Sequence, residues 1–181
     1  AVFLKSKKMN NAHLHLVFNH LPIIFPIVGI IVLLIGIFTK SEVSKRNSYA
    51  IFILGAIASI AAMATGEGAE ETVENIAGIS ENLIKTHEEA AELFAGLTYF
   101  LGGISLIALY ASLKNLSFSK FSPFVIGVFV LIAMFFAKNA GTTGGEIRHS
   151  EIRSGATVQN AEQGASEHEK GKNTEEQEDE D

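Results

Sequence analysis

Four apolar runs, Leu21 to Phe38, Tyr49 to Ala64, Ala90 to Leu113 and Phe121 to Ala137, leave this chain few ways to fold. A helix needs about 20 apolar residues to span a bilayer, within a range of about 17 to 25. Three runs meet that length, and the second does so when Asn47 and Thr65 are taken in. Backbone polar groups find no partner in lipid, so segments of this kind cross as helices. Composition points the same way: 48% of residues are hydrophobic and mean hydropathy is +0.27, too apolar for a soluble domain when the apolar residues come in blocks. The expected fold class is all-α, a bundle of four transmembrane helices over residues 13–153. A basic N-terminal segment (1–12), which does not read as a signal peptide, precedes it. A tail (154–181) follows.

The stretches between the runs set the orientation. Lys40 to Asn47 and Lys114 to Lys120 are short and basic, whereas residues 66–89 are acidic. By the positive-inside rule the two basic loops are cytoplasmic, which leaves the acidic loop and both termini outside. Lys5, Lys7 and Lys8 on the outside run against the rule. Within the acidic loop a short helix is expected from about Glu67 to Ile76, stopped by Gly78. Ser80 then reads as the N-cap of a helix that runs unbroken from about Glu81 through the third run, with Ile79 and Ile84 spaced as a hydrophobic staple. Pro26 is expected to kink the first helix, and Pro123 falls in the first turn of the fourth, where it costs little. Beyond Gly155 the chain has almost nothing apolar to bury and reads as a disordered acidic tail. Its last seven residues, EEQEDED, supply most of the net charge of -6.

Several chemistries are excluded at this point. No basic stripe with interleaved aromatics supports nucleic-acid binding. With no cysteine, the chain has no disulfide, no iron–sulfur ligand set and no covalent haem attachment. The second, third and fourth runs carry no charged residue or histidine in mid-span, which argues against a pump or ion-coupled transporter.

The histidines carry the chemistry that remains. Five of the six, His13, His15, His20, His87 and His149, fall at the expected outer side, and His168 lies in the tail. His13 lies 26 residues before Thr39 and His87 lies 26 before Leu113, so continuous helices put the two at one level. His20 sits seven residues deeper, about 10 Å at ~1.5 Å per residue. The spacing of seven keeps His13 and His20 on one helical face and turns His15 away. Asn19 and the carboxylates Glu67, Glu70, Glu71, Glu88 and Glu146 are nearby, and Glu146 to His149 has the Glu-x-x-His spacing of di-iron bundles. A histidine at a membrane interface also serves as a plain polar anchor, and that reading stands beside the ligand reading for each one.

The stretches NHLPI before the first run, TGEGAEE after the second, a His-Glu pair entering the third and GG-x-IRH-x-E after the fourth resemble a family of small uncharacterised bacterial membrane proteins. That family, of the Bacteroidota type, is allied to a four-helix membrane family thought to bind haem. The resemblance covers about Asn11 to Arg153 and implies roles for His20, Glu67, His87 and His149. It speaks for the fold more than for the chemistry.

Two functions follow as expectations. One is an inner-membrane b-type cytochrome-like protein, with haem b held by His87 and either His20 or His13, His149 nearby, passing electrons at the outer face between quinol and a soluble carrier. The other is a non-redox metal-binding or structural accessory subunit, with zinc or copper on His20, His87, His149, Glu67 and Glu146, or with nothing bound.

Overall fold

The computed structural model describes residues 11–74, 76 and 79–153. The expectations placed on residues 1–10, on Gly78 and on the tail with His168 lie outside them. The described residues form α1 (Asn11–Phe18), α2 (Leu21–Phe38), α3 (Glu42–Val73), α4 (Glu81–Leu113) and α5 (Ser122–Arg148), with short 3-10 turns at Ser117–Lys120 and Ser150–Ile152. No strand occurs among them. Four helices are long and apolar enough to cross a membrane, α1 and α2 counting together as the first.

Side-chain size is sorted from inside to outside. A few large residues fill the centre, among them Leu33, Tyr49, Phe52 and Leu101, each 1% exposed. Around them the contacts are made by Ala58, Ser59, Ala62, Thr98, Ser105, Ala108, Ala133 and Ala137, all buried. Large apolar side chains such as Phe38, Ile60, Ile107, Leu131 and Phe135 face outwards. Small residues let helix backbones approach closely. At Gly102 of α4 an added Cβ would fall 2.5 Å from Ala56 Cβ of α3, so the α3–α4 contact admits no larger residue there without shifting.

Helices α2 to α5 pack in chain order, with α2 and α5 meeting along a slighter seam. The two basic turns are closed tightly. Lys40 and Asn115 both take φ of 55°, the left-handed conformation that ends many helices. After α2 the Ser41 N–H donates to the Gly36 carbonyl at 3.0 Å and the Lys40 N–H to Ile37 at 3.2 Å. After α4 the same pair of bonds runs from Leu116 to Ala111 at 2.9 Å and from Asn115 to Ser112 at 3.3 Å. Ser41 then caps α3 by accepting from the Ser44 N–H. Arg46 on α3 ties this end together, donating through Nε to Ser112 Oγ at 2.9 Å and through Nη2 to the Ser112 carbonyl at 2.7 Å.

Two expectations are corrected at the opposite end. The acidic loop carries no separate helix from Glu67 to Ile76; α3 continues through Gly66 and Gly68 to Val73. Glycine weakens a helix locally, but here α1 lies against α3, and a Cβ on Gly68 would overlap the Asn11 side chain. The glycines are contact positions rather than a break. The fourth helix likewise continues past Ala137 to Arg148. His149 then leaves the helix with φ −108° and ψ 88°, so it does not share a helical face with Glu146. Ser80 does occupy the N-cap position of α4, in extended conformation, although its side chain makes no capping bond. Ile84 is buried and Ile79 half-buried, in keeping with the expected staple.

Candidate histidine layer

The first helix is interrupted before it enters the apolar core. Pro22 has no N–H to offer the Phe18 carbonyl, and its ring crowds that carbonyl. The chain tightens around the gap, with the Ile23 and Ile24 N–H groups both donating to the His20 carbonyl at 3.1 and 3.0 Å. α1 is thereby set apart from α2, and it rests chiefly on the extended end of α3. Asn19 at the junction keeps its Oδ1 buried with no hydrogen-bond partner.

That placement decides which histidines point inwards. The break between α1 and α2 falls between His13 and His20, so the shared face expected of a continuous helix does not hold, and both are exposed. The half-buried one is His15, on the face the sequence set aside. Its Nδ1 lies 3.0 Å from the Ala62 carbonyl and 3.3 Å from Thr65 Oγ1. A carbonyl only accepts, so Nδ1 carries a proton and donates to Ala62. The Thr65 hydroxyl donates to Ala61 and Ala62, which leaves its oxygen to accept from the ring.

His87, one turn and a half into α4, is held in a matching way by α5. Its Nδ1 lies 3.2 Å from Thr143 Oγ1. The Thr143 hydroxyl donates to the Asn139 carbonyl at 3.0 Å, so its oxygen accepts from Nδ1–H. The Ala140 carbonyl also engages the ring. Gly144 forms the floor: an added Cβ would sit 2.9 Å from His87 Cε1. His15 is close enough to His87 for a charge on one to be felt by the other. α1, α3, α4 and α5 thus each supply a group to one polar layer, His15, Thr65, His87 and Thr143, above the apolar core.

The other residues singled out by sequence stand apart from this layer. His149 is exposed, and its Nδ1 pairs with Glu151 Oε1 at 2.8 Å. The Glu151 backbone N–H and the His149 ring hold that carboxyl below the usual carboxylate range. Arg153 turns back on the end of α5, donating to the Glu146 carbonyl at 2.8 Å and the Ile147 carbonyl at 3.1 Å. Glu67 is exposed, and Glu67, Glu74 and Glu88 surround Glu70 with like charge. Among the described residues no group of three or more His, Asp or Glu side chains is placed to hold a metal ion. The signal that could have found His15 is the Gly66-x-Gly68 spacing, which marks where a second helix lies against α3.

No protein-family model matches the chain, and no match is found among curated proteins or solved structures. Function therefore has to be read from the layer itself.

Proposed function

We propose that this chain is a multi-pass inner-membrane protein whose outer histidine layer binds haem b through His15 and His87. The observation that carries the reading is the contact that each ring makes through Nδ1, with a carbonyl and a hydroxyl for His15 and a hydroxyl for His87. Metal-ligating histidines almost always donate their other N–H to a carbonyl, a carboxylate or water, which fixes the ring and leaves the second nitrogen free. Both rings here are fixed through Nδ1, on different helices. Two imidazoles complete the axial set of a haem, whereas tetrahedral zinc takes four ligands. The donor set therefore fits haem better than zinc. The ligand expected beside His87 changes accordingly, from His20 or His13 to His15.

Haem iron would supply one-electron exchange, and the layer would place it at the end opposite the basic turns. By the positive-inside rule, Lys40, Lys114 and Lys120 at the short turns support an orientation with the histidine end outside the cytoplasm. Electron transfer would then involve a quinol or a carrier on that side. Membrane-impermeant labelling of Ser80→Cys and Ser117→Cys tests the orientation; the first reacts in intact cells and the second does not, and the reverse pattern inverts it. α1 is the part able to yield space for a flat ring, since it is set apart from α2 and rests chiefly on α3.

The second reading is a structural accessory subunit, with nothing bound or with zinc or copper. The same hydrogen bonds favour it, because they also satisfy a polar layer that merely locks four helices together. An absorption spectrum of the purified protein separates the two. A Soret band that is lost in His15→Ala and in His87→Ala, but kept in His20→Ala, supports the haem reading. A colourless protein from haem-replete cells, or a full band in His15→Ala, overturns it.

A further inference from the structure

The seam between α2 and α5 leaves a groove. Ile23 and Ile27 form one wall, Met134 and Ala137 the other, and Lys138, Gly141 and Thr142 the upper rim, enclosing about 400 Å3. The groove is separate from the histidine layer, none of whose residues lines it. Its chemistry changes along its length, from hydrocarbon below to an ammonium and a hydroxyl above.

Lys138 is the unusual residue. α2 carries no charged side chain, and α5 carries no acid before Glu146. No ion pair engages Lys138 among the described residues. It follows Ser122 by 16 residues, or ~24 Å along the helix. With a hydrocarbon layer of ~30 Å, its backbone lies a little below the far boundary. A lysine there extends its stem towards the headgroups. Its charge meets the lipid phosphates at the rim of the groove.

We infer that the α2–α5 groove seats one acyl chain of an anionic glycerophospholipid from the leaflet at the histidine end, with Lys138 on its phosphate. Thr142 adds a hydroxyl at the same height. Gly141 keeps the rim open, since even a Cβ there would come within 3.6 Å of Ile23 Cδ1. A cation with no ion-pair partner among the described residues favours a headgroup of net negative charge over a zwitterionic one. The inference rests on the membrane reading and is independent of haem.

Native mass spectrometry of the full chain in detergent, with phosphatidylglycerol and phosphatidylcholine of identical acyl chains in competition, tests it. Wild type is expected to retain phosphatidylglycerol in about five-fold preference, the order of one lysine–headgroup contact. Lys138→Gln should bring the preference close to one. Gly141→Leu should fill the groove and lower retention of both lipids, while a melting curve like that of wild type shows the bundle intact. Equal retention of the two lipids by wild type, or an undiminished preference in Lys138→Gln, overturns the inference. A chain that fractionates away from membranes would overturn the membrane reading itself, a result visible before any lipid is added.

Discussion

Arg46 and His87 are both half-buried polar side chains near helix ends, yet they are used in opposite ways. Arg46 spends its hydrogen bonds on Ser112, adding a charged donor to a carbonyl that also accepts from the Asn115 N–H. His87 uses one ring nitrogen against Thr143 and keeps the other uncommitted. The same contrast runs through the two ends of the bundle. The basic end is closed by left-handed caps and an arginine clasp, while the histidine end has an interrupted helix, an unpartnered Asn19 Oδ1 and two oriented imidazoles. A polar group fully engaged by backbone is explained by folding. A ring held through one nitrogen leaves the other open to a further partner.

The sharpest way to break this contrast is Arg46→Met. Bonds to a charged donor contribute about 1.5 to 3 kcal/mol, and the Ser112 carbonyl would keep only its longer bond from the Asn115 N–H, at 3.3 Å. Unfolding in mixed micelles should show a loss of about 3 kcal/mol, with any Soret band unchanged. A shifted band would mean that the two ends are coupled.

Gly144→Ala probes the other end. Overpacking costs about 1 to 3 kcal/mol, and the new methyl would press on His87 Cε1. A loss of about 2 kcal/mol accompanied by loss of cofactor is expected. If stability falls while cofactor content stays full, His87 is not a ligand.

The smallest effect is a gain. Lys40 holds a φ that costs a residue with a Cβ about 1 to 2 kcal/mol, and Lys40→Gly should raise stability by about 1 kcal/mol. Asn115→Gly should gain less, because asparagine tolerates that conformation. Equal gains at both positions would show that the two turns are not the matched pair their hydrogen bonds suggest.

The long helices were legible because each is set by its own residues. α4 starts after Ser80 and runs unbroken, and Pro123 lies where it costs little, as local chemistry requires. The histidine end was less legible because its features depend on partners distant in sequence. The stretch after Thr65 read as an acidic loop with a short helix of its own until α1 is known to lie against Gly66 and Gly68. His15 was set aside on a count of helical spacing, since nothing within HLHLVFNH says which face turns inwards. That face is decided by Ala62 and Thr65, more than forty residues away. GTTGGEIR lies beyond the fourth apolar run, and it stays helical where Thr143 and Gly144 meet the His87 ring.

The left-handed caps at Lys40 and Asn115 also bear on how the chain is made. Three residues separate α2 from α3, and α4 reaches α5 through one short turn. Links of that length hold the second helix of each pair beside the first from the moment it emerges. In the membrane reading the protein is therefore inserted as two hairpins rather than four independent spans. An insertion within residues 39–41 should stall biogenesis, whereas one within 74–80 should pass unnoticed by the translocation machinery.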